Sequence, residues 1–181
     1  MRQSVGRRGA TGSTFDQVAG EAGVSRGLLH YYFGSKERLM AEVVRHDCDI
    51  RLARLDEALG GADDVEAMVA VLVSGLEDMV ERDPGAYALI FELFTASRHN
   101  EELRDAMADL YRRIREHLGR VLAAKEEAGI VKLRGTPEGV ASALFALGDG
   151  LALQMLSDPD TDSSETLDAA IATAESLLGG G

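Results

Sequence analysis

The sequence predicts an all-α fold, and three observations support this prediction. Ala, Leu, Glu and Arg are plentiful, aromatic residues make up only 5% of the chain, and tryptophan is absent. Such unbranched side chains lose little rotamer freedom in a helix. Only three prolines occur in 181 residues. Apolar residues also recur at the i, i+3, i+4, i+7 spacing of a helix that buries one face.

The first two predicted helices are short and lie close together in the sequence. Thr14 and Gln17 have the spacing of a capping box, which predicts a helix that stops at Gly23. Ser25 is a favourable N-cap for a second helix, which stops at Gly34. Two short helices joined by a tight glycine turn form a helix-turn-helix, whose second helix can enter the major groove of DNA. Six apolar residues are expected to form its core: Val18, Ala19, Ala22, Val24, Leu29 and Phe33.

Longer helices are predicted for the rest of the chain. Asp83 and Thr136 each precede a proline, and proline is favourable at the first position of a helix. The helix that opens at Thr136 is apolar nearly all round, which predicts burial on most of its sides. The polar run over residues 157–164 predicts a loop. The predicted helices are Lys36–Leu59, a helix after Asp63 with an apolar stripe from Val65 to Val80, a helix from Pro84, Glu101–Ala128, Thr136–Leu156 and Glu165–Leu178.

The charge is distributed unevenly along the chain. Residues 1–47 carry seven basic and five acidic groups, whereas the remainder carries 12 basic and 26 acidic groups. A mildly basic head on an acidic body is typical of a DNA-binding domain joined to a domain that does not contact DNA. The sequence therefore predicts a helix-turn-helix domain over residues 1–47 and a second helical domain over residues 48–181.

The composition also indicates the cellular compartment in which the protein is expected. The single cysteine, Cys48, excludes an internal disulfide framework and favours a reducing cytoplasm. The N-terminal residues lack the apolar segment of a secretory signal. The longest apolar stretch, from Val140 to Leu156, is interrupted by Asp149 and Gln154. We therefore expect a cytoplasmic protein without a membrane partner.

Enzyme chemistry, cofactors and metals are not expected. The sequence pairs no nucleophile with a base and contains no phosphate-binding loop. The residues from His46 to Asp49 point in different directions on a helix, which disfavours a metal site. The residues from Asp158 to Asp162 resemble the start of a calcium loop, but Ser163 and Ala169 replace the glycine and glutamate that such a loop requires.

The segment from Ala19 to Leu39, AGEAGVSRGLLHYYFGSKERL, resembles the TetR family of bacterial repressors. It matches the second and third helices of that family and the start of the fourth. The resemblance implies a two-domain homodimer whose last two long helices form the dimer interface. It also implies a C-terminal ligand cavity whose occupancy changes the spacing of the DNA-binding heads. Residues 144–159 resemble, less specifically, the dimerising helix of some members.

Two functions follow from these features. The leading hypothesis is a ligand-responsive DNA-binding regulator, a repressor that an unknown small molecule releases from a palindromic double-stranded operator. The alternative is a helical small-molecule-binding dimer whose DNA-binding head no longer functions.

The DNA-contact candidates come from positions that match the family motif. Arg26 is placed to contact base edges, with Gly27 allowing close approach of the backbone. Leu28 stands where members often have threonine, which predicts an apolar contact to a thymine methyl. His30 stands where tyrosine is usual. The full set is Thr14, Arg26, Gly27, Leu28, His30, Tyr31, Tyr32 and Lys36.

The ligand-pocket candidates are apolar and aromatic residues of the second domain, each of which could equally be ordinary core. Asp149 lies in an apolar helix and needs a partner there. It could pair across the dimer, or it could hold a cationic ligand. The candidates are Met68, Leu72, Phe91, Phe94, Tyr111, Phe145, Asp149 and Met155.

The segment before Ser13 departs from the family pattern. The first helix of the family, which supports the helix-turn-helix, should occupy most of about twenty residues, whereas twelve glycine-rich residues precede Ser13. Either the true start lies upstream, or this chain has a weakened head. In either case the first helix is incomplete in this chain, which predicts that Val18, Leu29 and Leu39 lack part of their cover.

Overall fold

The computed structural model describes Met1, Ser4 and residues 12–179, and all the regular elements in this part of the chain are helical. The all-α prediction is therefore confirmed. The elements are α1 (Phe15–Ala22), α2 (Arg26–Phe33), α3 (Lys36–Gly60), α4 (Val65–Glu77), a π-helix (Asp78–Arg82), α5 (Pro84–Ser97), α6 (Glu101–Glu127), α7 (Pro137–Ser157) and α8 (Ser164–Gly179).

Local capping signals fix several of the helix ends. The Thr14 hydroxyl accepts a hydrogen bond from the Gln17 amide, and the Gln17 side chain accepts one from the Thr14 amide, which confirms the capping box. The Ser25 hydroxyl caps α2 by accepting one hydrogen bond, from the backbone amide of Leu28. Thr136 caps α7 by accepting a hydrogen bond from the Gly139 amide at 3.2 Å. These contacts satisfy amide groups that have no carbonyl partner within the helix.

Two local features differ from the sequence-based expectation. Asp83 precedes Pro84 as predicted, but its side chain makes no capping hydrogen bond, because its backbone (φ −143°, ψ 54°) lies outside the extended region that capping residues adopt. The helix α4 also continues into a π-helix over Asp78–Arg82, where Arg82 forms an ion pair with Asp78 at 2.7 Å. Hydrophobic periodicity did not predict this local change from α- to π-helix.

The chain divides into two compact units. One consists of Met1–Ile50 and Asp83–Tyr111, and the other of Arg51–Arg82 and Arg112–Gly181. Helices α3 and α6 therefore each contribute residues to both units. The division into functional domains after residue 47 stays a prediction.

Four buried residues form the core of the head: Val18, Ala19, Leu29 and Leu39. Phe15, Phe33, Val43 and Met1 pack against them. The expectation that Val18, Leu29 and Leu39 lack cover is wrong, since these residues are only 4–8% exposed. Ser4 is helical and also buried. The remaining residues before Gly12, to which the expectation of a missing first helix applies, lie outside the described part of the chain.

The predicted core of the head is partly wrong at the turn. Ala22 is exposed, and Val24 is 37% exposed. The left-handed backbone of Gly23 (φ +68°) reverses the chain at this point, and the residues beside it lie at the surface. Leu39, from the first turns of α3, supplies the core contact instead.

The helix α7 is much less buried than its composition predicts. Only Val140, Ala141, Leu151 and Ala152 are buried within the single chain, so contacts within one chain do not supply the burial on most sides that the sequence predicts. Among the described helices it is the one long and apolar enough to span a membrane by length and composition. Its first turn packs closely on α6, because a Cβ placed at Gly119 would lie 3.1 Å from Cγ of Glu138.

Candidate nucleic-acid interface

The second helix of the head, α2, exposes most of its surface. Of its eight residues only Leu29 is buried. Leu28 is 44% exposed, Tyr31 83% and Tyr32 70%. An exposed cluster of this kind, with aromatic and basic side chains together, is unusual for a helix surface that faces only water. Its composition suits contacts with DNA phosphates and base edges.

The turn before α2 places Arg26 at the tip of this exposed helix. The amide of Val24 donates to the carbonyl of Ala19 at 3.0 Å, which closes the end of α1. Ser25 then caps α2, so that Arg26 is its first residue. The N-terminal residues of a recognition helix are those that contact base edges in helix-turn-helix proteins.

Arg26 forms an ion pair with Asp16 across the turn. A terminal guanidinium nitrogen lies 3.0 Å from a carboxylate oxygen, and both side chains are more than 60% exposed. Asp16 was not among the sequence-based candidates. The two residues are ten positions apart on different helices, so helical periodicity gives no signal for their contact.

A second contact between the two helices holds the ring of His30. The ring of Phe15 meets the ring of His30 edge to face, with centroids 5.6 Å apart. Tyr31 and Tyr32 also meet edge to face, with centroids 5.3 Å apart. These arrangements favour defined ring orientations at the exposed surface of the head.

Thr14 is occupied by its capping role. Its hydroxyl accepts from the Gln17 amide at 3.4 Å and lies 3.1 Å from Oε1 of the same residue. A hydroxyl has one proton to donate. A phosphate contact through that proton would therefore replace the contact with the Gln17 side chain.

Thr14→Ala should lower the stability of the protein by about 1 kcal/mol, because it removes the hydroxyl that caps α1. Thr14→Ser keeps the hydroxyl and is the matched control, for which we expect a change of less than half that size. Urea denaturation followed by circular dichroism measures both variants. Equal stability of the alanine variant and the unsubstituted protein would show that the capping box contributes nothing.

The remaining candidates, Gly27 and Lys36, lie on either side of the Tyr31–Tyr32 pair in the sequence. Among the described residues, and apart from the local backbone of α2, the nearest atom to a Cβ at Gly27 would be the Ser25 hydroxyl oxygen, at 3.9 Å. Packing within the described part of the chain therefore does not require glycine there. Lys36 is half-buried at the first position of α3.

A shallow cleft of about 280 Å³ lies beside the head, within the same compact unit. Arg38 and Glu102 form an ion pair at 2.6 Å in its wall. The hydrogen bond to the Glu102 carboxylate raises the pKa of the Arg38 guanidinium above its ordinary value. None of the predicted ligand residues lines this cleft. Its lining residues are Tyr32, Phe33, Arg38, Ala41, Glu42, Glu102, Leu103 and Ala106.

The predicted ligand residues are divided between the two units. In the first unit, Phe91 and Tyr111 are half-buried and Phe94 is 52% exposed. Phe91 lies beside the buried ring of Tyr87, with centroids 5.7 Å apart. Tyr87 was missed because a lone tyrosine at a core position has no distinguishing sequence signal. The second unit contains buried Met68 and the half-buried residues Leu72, Phe145, Asp149 and Met155.

Comparison with known proteins assigns both parts of the chain. Residues 2–43 match the family described as bacterial regulatory proteins, tetR family, and residues 61–179 match the C-terminal domain of BetI-type transcriptional repressors. The HTH-type transcriptional regulator BetI of Agrobacterium fabrum is 31% identical over an alignment 180 residues long. The alignment covers 87% of this chain and 85% of that protein.

Solved structures share the fold at lower identity. The transcriptional regulator FadR of Bacillus subtilis, in complex with stearoyl-CoA, is 17% identical with a TM-score of 0.76, covering 97% of this chain and 94% of that one. A transcriptional regulator of Saccharomonospora viridis, in complex with choline, is 22% identical with a TM-score of 0.72, covering 96% and 88%. Taken with the family matches, these likenesses show that the chain belongs to the TetR family of bacterial transcriptional regulators, with a C-terminal domain of the BetI type.

Proposed function

We propose that this regulator is a homodimeric repressor that binds a palindromic operator and is released by a small organic cation. The exposed surface of α2 carries the DNA-binding part of the proposal. Basic, aromatic and apolar side chains share this surface, and only Leu29 of the helix is buried. The core of the head is buried, and Leu39 of α3 forms part of it. These observations favour a functional head over the alternative of a non-functional one.

Each exposed side chain has a role in the proposed complex. Arg26 donates to base edges, because a guanidinium can contact two acceptors of a guanine at once. Leu28 contacts a thymine methyl, and Gly27 allows the backbone to approach the base pairs. The remaining candidates contact phosphates and fix the position of the head: Thr14, His30, Tyr31, Tyr32 and Lys36. Two heads related by a two-fold axis then recognise half-sites about 34 Å apart, or slightly more.

The surface of α7 supports a dimer through the last two helices, α7 and α8. Leu153 is 47% exposed, and five further apolar residues of α7 are only half-buried: Leu144, Phe145, Leu147, Met155 and Leu156. No described heavy atom outside the local backbone comes within 4 Å of a Cβ built at Gly148 or Gly150, so another helix has room to approach there. A stable interface of this kind should bury more than about 1,000 Å². A cytoplasmic location agrees with membership of a family of transcriptional regulators, and a second subunit would then cover this apolar surface.

The ligand class follows from charge and aromatic content. Aromatic rings recognise quaternary ammonium groups through cation–π contacts. In the second unit, Phe145 and Asp149 are half-buried and four residues apart on α7, so an aromatic ring and a carboxylate lie on the same face of one helix. The structural relative bound to choline shows that this fold can hold such a cation. The relative bound to stearoyl-CoA supports an acyl-CoA as the second candidate ligand.

Choline should raise the melting temperature of the protein and release it from operator DNA. At a concentration 100 times the dissociation constant, a ligand specific for the folded state stabilises it by about 2.7 kcal/mol. The neutral isostere 3,3-dimethyl-1-butanol is the matched control, since it has the same shape without the charge. Differential scanning fluorimetry and a DNA-binding titration measure the two effects. A response to the isostere equal to that for choline, or a response to stearoyl-CoA alone, would overturn the assignment of a cationic ligand.

A further inference from the structure

The ion pair between Asp16 and Arg26 joins the two helices of the helix-turn-helix at its exposed surface. Asp16 is the second residue of α1, and Arg26 is the first residue of α2. The left-handed turn at Gly23 brings them together, and the nitrogen–oxygen distance is 3.0 Å. The side chains are 62% and 64% exposed, so the pair lies in solvent before DNA binds.

The contact with one carboxylate restricts the orientation of the Arg26 guanidinium but leaves most of its N–H donors available. Arginine has five N–H donors in a planar arrangement, and the contact with Asp16 uses one terminal nitrogen. The other terminal nitrogen and the inner one remain available for a base edge. A long side chain that is already held in one orientation loses less conformational freedom when it binds. The pair therefore favours those base pairs whose acceptors match that orientation.

The charge of Asp16 has the opposite effect on binding to DNA in general. A carboxylate beside a base-contacting arginine lies close to the phosphates and repels them. It also neutralises part of the attraction that Arg26 exerts on any DNA sequence. An aspartate at this position should therefore weaken non-specific binding while it increases discrimination between sequences.

We propose that Asp16 is a positioning residue that sets sequence specificity by orienting Arg26. The proposal rests on the proposed base-contacting role of Arg26. It differs from a purely structural role in one measurable respect: loss of the carboxylate changes specificity and non-specific affinity in opposite directions. A structural defect would lower the affinity for random-sequence DNA instead of raising it.

The test uses Asp16→Asn in the full chain. The operator is first selected from random-sequence duplexes with the unsubstituted protein. The base pair that Arg26 contacts is then identified as the one whose substitution lowers the affinity of the unsubstituted protein but not that of Arg26→Ala. At that base pair, Asp16→Asn should lower discrimination by about two- to fivefold, the size expected of one exposed ion pair. Its affinity for random-sequence DNA should rise. Discrimination is a ratio of two affinities, so a fraction of misfolded protein cancels from it.

Two comparisons make the outcome decisive. Glu21→Gln removes the same charge from the last turn of α1, and it should raise affinity for random-sequence DNA without changing discrimination. In the Arg26→Ala background, Asp16→Asn should leave discrimination unchanged. If Arg26→Ala lowers discrimination but Asp16→Asn does not, the positioning role of Asp16 is overturned and the proposed function stands. If Arg26→Ala itself has no effect on discrimination, the base-contacting role of Arg26 is overturned instead.

Discussion

Arg26→Ala should remove discrimination at one base pair of each half-site while leaving most of the affinity for unrelated DNA. A bidentate arginine contact discriminates against the wrong base by about 1–3 kcal/mol, or roughly 5- to 150-fold in each half-site. The variant should fold normally, because the side chain is more than half exposed and makes its ion pair at the surface. Competition binding with operators substituted one base pair at a time measures the loss.

Lys36→Ala provides the comparison for a phosphate contact. Removing one lysine–phosphate contact should weaken binding to every sequence and reduce the slope of log affinity against log salt by about one. Arg26→Ala should lower the affinity mainly for the correct operator. If both variants weaken binding to all sequences by the same factor, Arg26 does not contact a base edge.

Local signals allowed the head to be predicted from the sequence. The Thr14 and Gln17 capping box, the Ser25 cap and the glycines at positions 23 and 34 each act over a few residues. Their effect on the backbone does not depend on the rest of the fold. For this reason the bounds of α1 and α2 agree with the prediction.

Contacts between elements were not predictable in the same way. Asp16, on α1, reaches Arg26, on α2, across the turn at 3.0 Å. Helical periodicity identifies which face of a helix is apolar but not which other helix covers that face. The same limit explains why Ala22 and Val24 were assigned to the core, although both lie at the surface.

The predicted ligand set shows this limit most clearly. Its members were chosen as apolar or aromatic residues at helical spacing, and they belong to two compact units. Tyr87, which is buried beside Phe91, was not included. Selection by residue type gives candidates on several helices, but the choice among them depends on packing that the sequence pattern does not contain.

The short segment before Ser13 led to a different error. Counting residues against the family pattern suggested an uncovered core, yet Val18 is 4% exposed and Leu29 8%. Met1 packs against this core. Burial at these positions is the physical requirement for a stable head, because each such side chain contributes about 1.5–3 kcal/mol when it is fully buried.

Leu153→Glu should convert the protein to a monomer and abolish binding to the full operator. Leu153 is 47% exposed in the single chain, so a glutamate there is compatible with the fold of one subunit. In a two-fold symmetric dimer the substitution occurs twice in the interface. Since about half of each Leu153 side chain is left to bury in the dimer, loss of the two leucine contacts amounts to about 1.5–3 kcal/mol, and burial of two unpaired carboxylates adds a larger penalty. The dissociation constant of the dimer should therefore rise by roughly four orders of magnitude.

Ala124→Glu is the matched control for this substitution. Ala124 is exposed on α6, outside the two helices proposed to form the interface, and the variant introduces the same charge in place of an apolar residue. Sedimentation velocity at micromolar concentration should show a dimer for this control and a monomer for Leu153→Glu, and circular dichroism should show the same helix content for both variants. The monomer should retain weak binding to a single half-site, because α2 and its core lie within one chain. A Leu153→Glu protein that remains dimeric and binds the full operator with unchanged affinity would place the interface on another surface of the molecule.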